Sequence, residues 1–230
     1  MKGNARIAEI LQTEYNVEDL TPYEEIEWEI ECYTDEISRV KIRSTSGRKF
    51  CAPVYAMFDG YHMNWYGDYG SWSFCCTWKT KLGNLAYNSP YYQLEKLECP
   101  EREVFDEKHC ATQLLKEIRE GDWYRYSLDD EERKRFDEFI TTDFDYISYG
   151  EPLYEHEETC ENLKTLYNAA RDSEFEWFSA LRSIGESDLE DIFNYEIYEL
   201  YDIGKKAPIR FFIILYMLSV VANAEGAINE

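Results

Sequence analysis

The stretch Glu25-Ile26-Glu27-Trp28-Glu29-Ile30-Glu31-Cys32 alternates acidic and apolar residues without a break. Side chains of an extended chain point to opposite faces in turn, so a strict period of two dictates a half-buried β-strand with one wet and one dry face. Residues 37–43 alternate as well, with Val40 and Ile42 on one face and Arg39, Lys41 and Arg43 on the other. Pairing the two strands in a hairpin allows a register that sets Glu31 by Arg39, Glu29 by Lys41 and Glu27 by Arg43, all on the same face. The carboxylates would then be largely neutralised within the sheet. The alternative is an exposed ladder. Carboxylates on one strand face recur about every 6.7 Å, near the through-space step of DNA phosphates, whose axial rise is about 3.4 Å. Glu25, Glu27, Glu29 and Glu31 would then imitate a nucleic-acid backbone. The pairing is the preferred reading.

Residues 50–58 and 71–78 are further strands, rich in aromatic and β-favouring residues. Asp59-Gly60 and Gly67-Asp68-Tyr69-Gly70 supply turns between them. From residue 89 the period lengthens. Ser89-Pro90 starts a helix with proline at its first position, and residues 106–120 carry Cys110, Leu114, Leu115 and Ile118 at helical spacing. Ser127 is the expected N-cap of a helix running to Ile140. Residues 142–153 read as loop, and further helices are expected over 154–171, 173–184, 187–203 and 208–224, with Gly185 and Gly204 at helix ends. The expectation is an α+β fold: an antiparallel sheet of four or five strands over residues 1–88, then five to seven helices over residues 89–230 packed as one compact unit.

Charge narrows the function classes. The chain has 47 acidic and 24 basic residues, a net of −23 over 230 residues. A small domain needs only about 2–8 net charges for solubility. The excess repels nucleic acid and attracts basic protein surfaces, so a basic protein is the expected partner, without direct nucleic-acid binding. Residues 39–94 form a mildly basic, Trp/Tyr-rich middle, and the acids concentrate on either side. Asp137, Glu138, Asp143, Asp145, Glu151, Glu155, Glu157, Glu158 and Glu161 follow one another with no intervening base, and Glu186, Asp188, Glu190, Asp191, Glu196, Glu199 and Asp202 do the same. Like charges about 5–6 Å apart on a helix are destabilising. These runs read either as solvated faces or as an anionic binding surface, with the first run as candidate partner-binding residues.

The seven cysteines form no C-x-x-C pair, no zinc spacing and no disulfide framework, which suits a reducing cytoplasm. The first ten residues lack a signal-peptide core, and the longest apolar stretch, 211–222, is too short to span a bilayer, which needs about 20 residues. It reads as a buried helix. Of the three histidines, His109 adjoins Cys110 in sequence, so on a helix their side chains diverge. His156 lies among Glu155, Glu157 and Glu158 but has no second histidine at helical spacing. Phosphate-binding, dinucleotide and nucleophile-elbow motifs are absent. No catalytic residue, metal site or cofactor is therefore expected; a carboxylate-bound divalent metal is the enzyme alternative.

Residues 61–78 are the most distinctive segment, with aromatics crowding both arms of a glycine-flanked turn. They form either a hairpin whose aromatics fill the core, which is preferred, or a contact patch of Trp65, Tyr66, Tyr69 and Trp72 through which a protein partner docks or copies of the chain assemble.

The runs Trp65-Tyr66-Gly67-Asp68-Tyr69-Gly70 through Cys76-Thr77-Trp78, Ser89-Pro90-Tyr91-Tyr92 and Leu94-Glu95-Lys96-Leu97 resemble uncharacterised proteins encoded by bacteriophages and prophages. They cover less than a fifth of the chain and carry over no residue roles. Phage anti-defence proteins, among them anti-restriction DNA mimics and some anti-CRISPR proteins, are similar in being small, acidic and free of enzyme motifs. The resemblance implies an inhibitor of a host nucleic-acid-targeting nuclease, a CRISPR effector or a restriction enzyme, acting in the bacterial cytoplasm.

Overall fold

The computed structural model describes residues 3–45, 53–85, 89–99, 103–141, 144, 151–193 and 197–226. The chain is α+β and divides into two compact units, Met1–Glu103 with Ala207–Glu230, and Val104–Lys206.

The first unit is built on a six-stranded meander, β1 (Ile26–Cys32), β2 (Ile37–Ser44), β3 (Val54–Asp59), β4 (His62–Gly67), β5 (Gly70–Cys75) and β6 (Leu97–Cys99), each antiparallel to the next. One strand more than expected forms because residues 62–67 pair on both sides and Leu97–Cys99 adds a short edge. The β1–β2 register matches Glu27 with Arg43, Glu29 with Lys41 and Glu31 with Arg39. Two of the three matched pairs come within ion-pair distance, so the charges on this face are largely compensated within the hairpin: Arg39 Nη2 lies 2.6 Å from Glu31 Oε2, and Lys41 Nζ lies 3.6 Å from Glu29 Oε2. Hydrogen bonds from Tyr33 and Arg39 hold the Glu31 carboxyl below the usual carboxylate range. The strand is not a phosphate ladder.

The dry face of the sheet carries Val40, Ile42, Val54, Ala56, Phe58, Met63, Trp65, Trp72, Phe74 and Leu97, all buried. They belong to the same core as α11 (Ile209–Ala224). Residues 211–219 of that helix are buried without interruption, so it has no solvent face and must sit inside a core. Phe211 meets Trp65, Trp72 and Phe74 at ring-centroid distances of 5.5, 6.0 and 6.2 Å. Helix α1 (Gly3–Thr13) packs alongside through Ile7, Ile10 and Leu11, and the single-turn helices α2 (Thr21–Glu24) and α3 (Leu82–Leu85) close the margins. Helix α4 (Pro90–Glu95) leads into β6. Residues 207–230, expected with the helical region, thus belong with the sheet, and the units divide at residues 103 and 206 rather than at 88. The unbroken buried run 211–219 is what joins this helix to the sheet's apolar core.

The second unit runs from β7 (Val104–Phe105), paired with β8 (Lys205–Lys206), through α5 (Glu107–Glu120), α6 (Asp130–Thr141), α7 (Glu157–Ala170), α8 (Glu174–Ile184), α9 (Glu186–Phe193) and α10 (Ile197–Asp202). Its core gathers Leu114, Ile118, Phe136, Leu163, Leu166, Trp177, Leu181 and Leu189, each the inward stripe of its own helix. Asp106 and Ser173 cap α5 and α8 by accepting from the backbone N–H of His109 and Glu176. Gly185 ends α8 at φ +100°. No described helix is long and apolar enough to cross a membrane.

Ser127 is not the cap of α6. It ends a π-helical turn over Trp123–Ser127. The cap is Asp129, whose Oδ1 accepts from the N–H groups of Glu131 (2.8 Å) and Glu132 (2.9 Å), while Glu132 Oε2 accepts from Asp129 N–H at 2.7 Å. This is a reciprocal capping box. Asp129→Ala is expected to cost about 1 kcal/mol in a urea melt, and Ser127→Ala less than about 0.5 kcal/mol. Equal losses would contradict the assignment.

Candidate interaction surface

The acidic excess is uneven. The second unit carries 28 acidic and 12 basic residues, a net of −16 out of the chain's −23. The candidate carboxylates behave in three ways. Asp137 and Glu138 sit on α6 and are engaged locally. Asp137 Oδ2 accepts from Tyr124 Oη–H at 3.0 Å, and its Oδ1 lies 3.7 Å from Arg119 Nε. Glu138 pairs with Arg135 at 3.0 Å, one helical turn away. Glu155, Glu157, Glu158 and Glu161 are exposed, and among the described residues the first three form no ion pair. Glu157 and Glu158 occupy the first turn of α7, where the helix dipole favours negative charge. Asp143 and Asp145 lie outside the described residues, as does the side chain of Glu151. In the second run, Glu186, Asp188, Glu190 and Asp191 are exposed along α9 and Glu199 along α10, Asp202 pairs with Lys205 at 2.5 Å, and Glu196 lies outside the described residues.

His156 turns inward rather than toward its flanking glutamates. Its Nδ1 accepts from Trp123 Nε1–H at 3.4 Å, and its Nε2 lies 3.6 Å from Glu132 Oε1. It thus ties the start of α7 to the cap of α6. Among the described residues no group of three His, Cys, Asp or Glu side chains is placed to hold a metal ion.

The aromatic contact patch needs correction. Trp65 is 1% exposed and Trp72 4%; they face each other across β4 and β5 and pack on Phe211. A partner cannot reach them without unfolding the sheet. Tyr69 is half-buried against the same core, and burial raises its phenol. Tyr66, 37% exposed, stacks on Tyr55 at 4.8 Å on the wet face. Among the described residues the two most exposed aromatics lie elsewhere: Tyr126 is 77% exposed and Phe175, between Glu174 and Glu176 at the start of α8, is 76% exposed. The signal for Phe175 was present in the sequence, because it falls out of step with the Trp177, Ala180 and Leu181 stripe that α8 buries.

No protein-family model matches the chain, and no curated protein or solved structure is significantly similar to it.

Proposed function

We propose that the protein is a non-catalytic anti-defence inhibitor of the bacteriophage type. It binds a basic host protein, a nucleic-acid-targeting nuclease such as a CRISPR effector or restriction enzyme, and occupies the nucleic-acid cleft with its acidic helical unit. The observation that carries this reading is the net −16 on the second unit, with Glu155, Glu157 and Glu158 exposed and free of ion pairs among the described residues. Asp137 and Glu138, held by Arg119 and Arg135, contribute less. Fixed negative charge speeds encounter with a positive cleft. Phe175 and Tyr126 supply the apolar anchors that slow release, the role that Trp65 and Trp72 are too buried to fill.

The test is capture from a bacterial lysate that contains such a nuclease, with the full chain immobilised. At about 50 mM salt a basic nucleic-acid-binding protein is retained; at about 500 mM, where the screening length falls well below 10 Å, it is released. Duplex DNA or guide RNA competes for it. The triple variant Glu155→Gln, Glu157→Gln, Glu158→Gln retains roughly tenfold less, at about 0.5 kcal/mol for each rim ion pair. Circular dichroism separates this from the loss of favourable charge at the start of α7. Capture that is indifferent to salt and to nucleic acid removes the proposal.

A further inference from the structure

The wet face of the sheet places three chemically active side chains in one row. Asp59 is the direct partner of His62 across β3 and β4, and His62 is the direct partner of Cys75 across β4 and β5. All three are exposed. Directly opposed residues on one sheet face hold their Cβ atoms about 4.5–5.5 Å apart, within reach of a side-chain hydrogen bond. The neighbouring row makes such a bond, from Ser73 Oγ to Asn64 Oδ1 at 2.9 Å. Among the described residues, none of Asp59, His62 and Cys75 hydrogen-bonds through its side chain, to one another or elsewhere. Each is free to turn toward its neighbour in the row.

The other cysteines whose side chains are described are placed differently. Cys76, Cys110 and Cys160 are buried, and burial pushes the thiols of Cys110 and Cys160 up to about 12. Cys32 is exposed at the end of β1, but its cross-strand partner is Ser38. Among the cysteines whose side chains are described, Cys75 alone combines an accessible sulfur with a histidine as its cross-strand partner and an aspartate as the partner of that histidine.

We propose that Cys75 is a nucleophilic thiol, with His62 as its base and Asp59 orienting the imidazole, and that it undergoes thiol–disulfide exchange with small disulfides. The proton of Cys75 Sγ passes to His62. The sulfur then attacks one sulfur of the disulfide, whose S–S bond breaks as the new bond to Cys75 forms. The departing thiolate takes the proton back from His62, so one disulfide is consumed, one is made and one thiol is released. The open face lets a small disulfide approach without a cleft, and a second thiol reverses the modification.

The test uses the full chain with bis(2-hydroxyethyl) disulfide, a neutral probe that the acidic neighbours of Cys32 do not repel. Modification of each cysteine is followed in time by peptide mass spectrometry. Cys75 is expected to react roughly tenfold faster than Cys32, short of the 10²–10⁴ that an enclosed general base supplies. His62→Gln should bring Cys75 to within about twofold of Cys32 and leave Cys32 unchanged, and Asp59→Asn should give a smaller loss. Both substitutions are at exposed positions, so the fold persists. Equal rates for the two cysteines in the unaltered protein, or a Cys75 rate that ignores His62→Gln, would overturn the proposal.

Discussion

Phe211→Ala is expected to destabilise the sheet unit by about 4 kcal/mol, the usual cost of emptying a buried phenylalanine site. The ring is fully buried and lies within 6.2 Å, centroid to centroid, of Trp65, Trp72, Phe74 and Phe212. These neighbours come from strands and from the helix itself, so no single side chain can move to refill the space. Two of them are tryptophans, and urea unfolding followed by indole fluorescence reads the loss directly. The midpoint of the sheet unit's transition should fall by roughly 1.5–3 M. A fall of less than about 0.5 M would mean that α11 is not the keystone of that core.

Gly67→Ala should cost about 3 kcal/mol or more, for a reason that has nothing to do with apolar burial. Gly67 ends β4 at φ +139°, a conformation that L side chains rarely adopt. A Cβ built there would lie 2.2 Å from the carbonyl oxygen of Pro53 and 3.0 Å from Val54 Cα. Both obstacles are backbone, so relief requires β3 and β4 to separate. Gly60 provides the comparison. Its φ is also positive, at +57°, but no atom lies within 4 Å of the added Cβ, so Gly60→Ala should cost only the left-handed penalty of about 1–2 kcal/mol. Paired thermal melts distinguish the two, and equal losses would remove the close-approach argument.

Much of the sheet was legible because its constraints are local and periodic. The β1–β2 register follows from alternation and charge matching together, since a slip of one residue would expose Ile30 and bury Glu29. The same parity also fixes the fate of Trp65 and Trp72. They sit opposite one another in the hairpin, in phase with Met63 and Phe74, so they share the dry face, while Tyr66 falls on the other. The cap of α6 could have been read from Asp129 and Glu132, spaced as a capping box, had Ser127 not offered a hydroxyl two residues earlier. Helix α1 was open to reading too, from Ile7, Ile10 and Leu11 at helical spacing.

Other features were not legible. A helix apolar on every side announces burial but carries no direction, so the 211–222 stretch could not say which layer it covers. Nor does a run of acids reveal its partners. Arg119 reaches Asp137 from another helix, and His156 is drawn inward by Trp123 and Glu132, contacts between residues 18 to 33 positions apart. The Asp59, His62 and Cys75 row likewise exists only once three strands are in register.

The discontinuous first unit bears on how the chain is made. A ribosome delivers the six strands first and the helix that covers their apolar face last, after the whole of residues 104–206. At about 5–20 residues per second, the nascent sheet waits roughly 5–25 s with Trp65, Trp72 and Phe74 lacking their final neighbour. During that interval it is open to capture by chaperones or by another nascent chain, whereas the helical unit can complete its own core without waiting for the C-terminus.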